Sequence, residues 1–95
     1  DVLDTLTNPT LIIEVLSDTT ESYDRGMKFK YYRMIPSLAE YVLVAQSECN
    51  VEQHVKQPAG QWLISESRSI TDQIVLASIG CTLSLEEVYD KVKLP

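Results

Sequence analysis

The sequence predicts an α/β fold with a mixed central sheet. Two apolar stretches, at 10–16 and 40–46, have the length and the Val, Ile and Leu content of buried strands. Residues 18–35 between them read as a helix, which can start at a cap after the first strand and must stop before Pro36. Strand, helix and strand make a βαβ unit, and a right-handed crossover would set the two strands parallel.

A hairpin is expected at the edge of this sheet over residues 50–66. Polar and apolar residues alternate along its first strand, as in an exposed strand, so His54 is predicted to face solvent. Pro58-Ala59-Gly60 supplies the turn, and Trp62 opens the return strand. The remaining elements are two short strands, at 74–76 and 81–83, and a short helix after the capping box Ser84-Leu85-Glu86-Glu87.

The predicted helix has one apolar face and one unfavourable residue. The apolar residues that recur at helical spacing are Tyr23, Met27, Tyr31 and Met34. Gly26 costs about 1 kcal/mol relative to alanine inside a helix. Close packing of the helix on the sheet would account for a glycine at this position.

The composition indicates a single domain spanning 1–95, or the C-terminal portion of a larger domain. With 95 residues, about 60–65% of the unfolded chain's surface can be buried, so an isolated monomer would be marginal. We therefore expect a homo-oligomer, with a dimer favoured. The net charge of −6 argues against nonspecific nucleic-acid binding by the whole surface, but not against a local basic cleft or a metal site.

The two cysteines and the apolar runs bear on location. Cys49 and Cys81 read as reduced thiols of a cytoplasmic protein, because no signal peptide is visible. No apolar run approaches the roughly 20 residues that span a membrane, so no membrane partner is expected. A glycine-rich phosphate loop, a CxxC pair and an HExxH motif are all absent from the sequence, and the single histidine excludes a histidine-rich metal site.

Glu14 is the only charged residue in strand 10–16. A carboxylate in a buried strand costs on the order of several kcal/mol unless a cation or hydrogen-bond donors satisfy it. In the following helix, Asp24, Lys28 and Tyr32 recur at four-residue spacing and so share one face. Carboxylate and lysine suit metal-dependent phosphodiester hydrolysis, because Mg²⁺ prefers oxygen ligands and a lysine stabilises developing negative charge.

A simpler interpretation of the same spacing is an ion pair between Asp24 and Lys28. Such a pair is worth about 0.3–0.5 kcal/mol on a helix surface. The spacing alone does not decide between this pair and a metal site.

Three segments closely resemble the Uma-two family, a bacterial family of restriction endonucleases in the PD-(D/E)xK nuclease superfamily. They are PTLIIEVLS at 9–17, YDRGMKFKYY at 23–32 and IPSLAEYVLV at 35–44. The resemblance extends from residue 8 to about 64, and GCTLSLEEVY at 80–89 also looks like the family's C-terminus.

The resemblance implies a restriction-endonuclease-like core and a DNA endonuclease that uses Mg²⁺ or Mn²⁺. Glu14 matches the acidic metal ligand, and the backbone carbonyl of Val15 matches the main-chain ligand. Lys28 matches the catalytic lysine, which in this family stands on the helix. Asp24 and Tyr32 match positions that support it.

The sequence departs from the family pattern at the first metal-binding aspartate. That residue belongs to a Pro-Asp pair on an earlier strand, which would lie before residue 1; Pro9-Thr10 stands where many relatives carry a second such pair. Asp4 could reach Glu14 only if residues 2–6 formed a hairpin arm. With these N-terminal elements absent, we expect a fragment of an endonuclease that is inactive alone. The alternative is a non-catalytic interaction or structural module on a nuclease-like scaffold.

Overall fold

A four-stranded mixed sheet forms the centre of the molecule in the computed structural model, which describes residues 9–16, 26–27 and 30–91. The first two strands are parallel, as the βαβ prediction requires, and the other neighbours are antiparallel. The α/β class and the mixed sheet are therefore confirmed. In spatial order the strands are β1 (Leu11–Leu16), β2 (Glu40–Ala45), β3 (Val51–Lys56) and β4 (Trp62–Ser67).

A small antiparallel sheet and a helix follow the main sheet along the chain. They are β5 (Gln73–Leu76), β6 (Cys81–Ser84) and α1 (Leu85–Lys91). The predicted capping box is present: Ser84 Oγ accepts a hydrogen bond from the Glu87 N–H at 3.1 Å, and Glu87 Oε1 accepts one from the Ser84 N–H at 3.1 Å. These bonds from Ser84 lower the pKa of the Glu87 carboxyl.

Each face of the main sheet carries its own hydrophobic core, and side chains alternate between the two faces along each strand. We call the face that carries Glu14, Tyr41 and His54 the front face, and the opposite face the back face. The front-face core consists of Ile12, Leu16, Tyr32, Leu38, Tyr41 and Leu43. The back-face core consists of Val42, Val44, Val51, Ile74, Leu76, Leu85 and Tyr89. Strand β2 is buried on both faces, as its sequence predicts.

A buried carboxylate joins the small sheet to the main one. Glu40 is 0% exposed at the start of β2, and its Oε1 accepts hydrogen bonds from Ser78 N–H (3.1 Å) and Ser78 Oγ (2.8 Å). Its Oε2 accepts a further bond from Gln53 Nε2, which also donates to the Val75 carbonyl at 2.6 Å. The hairpin of β5 and β6 is therefore held to the back face by polar contacts as well as apolar ones.

The helical segment before β2 presents a different face to the sheet from the one predicted. Tyr31 and Met34 are 68% and 79% exposed, and Met27 is also exposed, whereas Tyr32 is 2% exposed and packs in the front-face core. The expected apolar face is therefore wrong where the structure describes it. The segment has apolar side chains on two sides, and periodicity does not tell which side meets the sheet.

The end of this segment lies slightly earlier than expected. Residues 26–27 and 30–33 are helical, and Met34 begins the turn before Pro36. The N–H of Ile35 bonds to the carbonyl of Tyr32 at 3.1 Å, so the last turn tightens to three-residue spacing before the proline. The predicted helix start, at a cap after the first strand, lies outside the described residues.

Strand β1 is less buried than its apolar sequence suggests. Ile12 and Leu16 are buried on the front face, but Ile13 and Val15 on the back face are about half exposed. They border an apolar groove that reaches Leu83 and Val88. Within the described residues, β1 pairs only with β2, so its outer edge has no strand neighbour there. The expected dimer or other homo-oligomer stays a prediction.

Replacing Gly26 with alanine is expected to stabilise the protein by about 1 kcal/mol. Gly26 is helical and exposed, and a Cβ at this position would meet no atom of the described residues within 4 Å, so the described part of the sheet does not require a glycine here. The expectation of close packing at this position is wrong. Urea denaturation would measure the change.

The matched control is Gly80→Ala. Gly80 is equally open, but its φ of +63° lies in the left-handed region, so alanine there should destabilise the protein. A fall in the urea midpoint for Gly26→Ala would contradict the prediction.

Candidate functional site

Glu14 stands on the front face of β1, between the buried side chains of Ile12 and Leu16. Its side chain is half-buried, and the hydroxyl of Tyr32 donates a hydrogen bond to its Oε2. Tyr32 belongs to the helical segment that covers this face. The structure therefore brings together two of the residues that the sequence singled out, although they are 18 positions apart.

The other sequence-predicted site residues are placed less fully. Lys28 and Asp24 lie outside the described residues. Val15 follows Glu14 in β1, where its side chain points to the back face. The proposed roles of all these residues stay predictions.

The described residues supply only part of a metal site. The strand register puts Glu14, Glu52 and Glu66 in one row across the sheet, with Leu43 between the first two. Glu52 bonds to His54, however, and Glu66 forms a 2.6 Å ion pair with Arg68. Within 9–16, 26–27 and 30–91, no three Asp, Glu, His or Cys side chains come together as a metal would need.

Glu14 fits Mg²⁺ by the chemistry of its donor atom, because carboxylate oxygen is the ligand type that Mg²⁺ prefers. One carboxylate does not hold the ion alone. Apart from the Val15 carbonyl that the family resemblance implies, the remaining oxygen ligands would have to come from outside the residues described, or from water.

A row of buried rings continues from Tyr32 across the front face. Tyr32 meets Tyr41 edge-on, with ring centroids 5.2 Å apart and an interplanar angle of 63°. Tyr41 stacks on His54 at 4.2 Å and 12°. His54 Nε2 lies 2.8 Å from Glu52 Oε1. A continuous set of contacts therefore connects Glu14 with Glu52, two strands away.

His54 is 0% exposed, so its predicted exposure is wrong. The alternation of β3 correctly separates its two faces, but the Tyr41 ring of the neighbouring strand stacks on the imidazole and helps to cover it. The signal that could have found it is the hairpin register, which sets His54 opposite Tyr41.

Two groups near the cores have raised pKa values. Burial raises the pKa of the Tyr41 hydroxyl, and the nearby Arg33 guanidinium opposes that shift in part. Burial, with a smaller contribution from the Asp72 charge, raises the pKa of the Cys49 thiol. A raised pKa lowers the thiolate fraction of Cys49 at neutral pH.

The fold and this site define an α/β protein whose sheet carries a half-buried glutamate, hydrogen-bonded by a tyrosine from the segment that covers it. The chain belongs to the Uma2 (Uma-two) family, described as "Putative restriction endonuclease", whose model matches residues 3–86. The resemblance seen in the sequence motifs is thereby confirmed.

Two curated relatives from Synechocystis sp. (strain ATCC 27184 / PCC 6803 / Kazusa) are similar to the chain. The uncharacterized protein slr1290 is 38% identical over 84 residues, which is 88% of this chain and 44% of the relative. The uncharacterized protein sll1609 is 46% identical over 61 residues, 64% of this chain and 34% of the relative. The chain thus spans less than half the length of either relative.

None of the helices in the described part of the chain has the length and apolar character needed to cross a membrane. The cytoplasmic location stays a prediction.

Proposed function

We propose that the protein acts as a DNA endonuclease that hydrolyses phosphodiester bonds with Mg²⁺ or Mn²⁺. In this proposal Glu14 and the backbone carbonyl of Val15 bind the metal ion, and Lys28 stabilises the negative charge that develops on the phosphate. The observation that carries the proposal is the Tyr32–Glu14 hydrogen bond on the front face, in a chain of the Uma2 family. When bound, the ion would polarise the phosphate and lower the pKa of a bound water.

The chain's own residues account for the orientation of the acidic group. Tyr32 is buried and its hydroxyl donates to one oxygen of Glu14, which fixes the carboxylate on the front face. The other carboxylate oxygen is then held in a defined direction. A metal ligand held in this way needs little reorganisation when it binds an ion.

Basic residues on the same helical segment would help an acidic protein to approach DNA. Lys30 and Arg33 are both exposed on that segment. The Arg33 guanidinium lies 5.8 Å from the Trp62 ring centroid. A local basic surface beside the Glu14 site would offset the net charge of −6 where the phosphates bind.

The proposal is tested by cleavage of supercoiled plasmid DNA by the full-length protein, with Mg²⁺ or Mn²⁺ titrated from zero. Glu14→Gln and Lys28→Ala are each expected to lower the metal-dependent rate by about 100-fold or more, because each removes a charge that acts on the reacting phosphate. Glu48→Gln, at an exposed glutamate in the turn after β2, is the matched control and should cleave like the wild type.

The assignment fails if Glu14→Gln and Lys28→Ala cleave as fast as the control. A folded wild-type protein that cuts neither plasmid nor linear DNA would favour the second candidate function. That candidate is a non-catalytic interaction or structural module on the nuclease-like scaffold. The acidic composition and the single carboxylate available at Glu14 in the described part favour it.

A further inference from the structure

We propose that Tyr41 and His54 are positioning residues for the Glu14 site, which hold the Tyr32 ring where its hydroxyl meets the carboxylate. This inference rests on the proposed function of Glu14 as a metal ligand. It assigns a role to the single histidine and to a buried tyrosine that the sequence motifs left without one.

The first step is the confinement of Tyr32. Its side chain is 2% exposed, and its hydroxyl donates a hydrogen bond to the Glu14 carboxylate on the front face. A tyrosine side chain has two torsions and a rigid ring, so the surfaces that pack against the ring determine where the hydroxyl lies. One of those surfaces is the Tyr41 ring, met edge-on at 5.2 Å.

The second step is the fixing of Tyr41 from several sides. His54 stacks on one face of its ring at 4.2 Å, and Trp62 packs at 5.2 Å with a tilt of 55°. Arg33 Nε donates to its hydroxyl at 3.4 Å. Tyr41 therefore cannot turn or shift without displacing its neighbours, and it presents a fixed surface to Tyr32.

The third step is the orientation of His54. Its Nε2 lies 2.8 Å from Glu52 Oε1, two residues earlier on the same face of β3. This contact sets the angle of the imidazole plane, and the imidazole plane sets the tilt of the Tyr41 ring stacked on it at 12°. Glu52 thus orients His54, His54 orients Tyr41, and Tyr41 positions Tyr32.

A purely apolar core would be the more stable choice at this position. A fully buried histidine that contacts a carboxylate must lose hydration, and apolar side chains of similar volume often stabilise a core more. What the histidine supplies instead is a ring nitrogen in contact with Glu52, which fixes the angle of the ring stacked on Tyr41. That property matters for the placement of a hydroxyl, and it matters little for burial alone.

The test is a double-mutant cycle in the full-length protein, with plasmid cleavage measured against Mg²⁺ concentration. Tyr32→Phe and His54→Leu should each lower cleavage by about 10-fold and raise the Mg²⁺ concentration at half-maximal rate, as the loss of a ligand's supporting partner does. In the double variant His54→Leu should cause little further loss, because the hydroxyl that it positions is already gone.

Rescue by a conservative variant separates positioning from general stability. His54→Phe keeps a flat ring against Tyr41 but loses the contact with Glu52, so it should recover part of the activity that His54→Leu loses, independently of the melting temperatures of the two variants. Independent, additive losses in the cycle would overturn the proposal, and so would a His54→Phe variant as defective as His54→Leu. If His54→Leu does not fold, Glu52→Ala replaces it; it keeps the flat imidazole and loses only the contact that sets its angle, so its loss should be smaller and close to that of His54→Phe.

A second readout keeps this inference separate from the proposed function. In protein labelled with ¹³C at the tyrosine Cζ, the Tyr32 signal should move in Glu14→Gln and in His54→Leu, and return towards its original position in His54→Phe. If the wild type does not cleave DNA, the proposed function fails while these spectra still decide whether His54 positions Tyr32. An unchanged Tyr32 signal in His54→Leu would overturn the positioning role.

Discussion

Replacing Glu40 with alanine is expected to lower the free energy of unfolding by about 2–4 kcal/mol. The change leaves the Ser78 N–H and hydroxyl and the Gln53 amide without their common acceptor, in a place where the Glu40 side chain is fully buried. It also leaves a cavity between the main sheet and the β5–β6 hairpin. For a small domain this is a large part of the total stability.

Glu40→Gln separates the lost acceptor from the cavity. The amide oxygen can still accept from Ser78, but its NH₂ then faces the NH₂ of Gln53, which is itself held by the Val75 carbonyl. We expect an intermediate loss of about 1–2 kcal/mol. Urea denaturation with unchanged m-values measures both variants, and Glu48→Ala at an exposed turn position is the control. If Glu40→Ala and the control had the same urea midpoint, the stabilising role of the Glu40 hydrogen bonds would be refuted.

Replacing Tyr89 with phenylalanine is expected to cost about 1–3 kcal/mol. The Tyr89 hydroxyl accepts a hydrogen bond from the Asn50 N–H at 3.0 Å, and lies 2.8 Å from the Ala45 carbonyl and 2.9 Å from the Glu48 carbonyl, to which it can donate. Phenylalanine keeps the ring packed in the back-face core but leaves these buried backbone groups without that partner. The turn between β2 and β3 should also become less ordered.

Thermal denaturation measures the loss, and amide hydrogen exchange at Asn50 locates it. The control is Tyr31→Phe, which removes the same atom from an exposed tyrosine and should change stability by less than about 0.5 kcal/mol. Unaltered exchange at Asn50 in Tyr89→Phe would show that the hydroxyl does not hold the turn.

Much of the main sheet could be predicted because its strands carry strong local patterns. The apolar runs of β1 and β2, the turn at Pro58 and the capping box at Ser84 each specify their element within a few residues. The parallel pairing of β1 with β2 followed from the helix expected between them. The structure agrees with each of these.

What escaped prediction depends on contacts between distant parts of the chain. Glu40 begins an apolar strand and no local pattern gives it a role, yet it meets Ser78, 38 residues further on. His54 alternates with apolar neighbours and reads as exposed, but the Tyr41 ring of the neighbouring strand stacks on it. Local periodicity predicts neither where a strand lies within its sheet nor whether a second sheet packs against it.

The candidate site was also predicted only in part, because local patterns identify Glu14 and Tyr32 but not the rings that pack behind Tyr32. Glu14 stood out as a lone charge in an apolar strand, and Tyr32 followed at helical spacing in the next element, so their contact agrees with local patterns. The rings behind Tyr32 come from β2 and β3, and their stacking depends on strand register. That register becomes visible only when the hairpin is built.

The outer edge of β1 has no strand neighbour within the described residues, so the Glu14 carboxylate also affects solubility. Leu11–Leu16 is a six-residue strand that is apolar apart from Glu14, without proline or glycine, and this composition is typical of segments that stack into cross-β fibrils. A single charge inside such a segment acts as a gatekeeper, because stacking identical strands in register would bring like charges together at every layer. Glu14 would thus oppose fibril formation wherever β1 is uncovered.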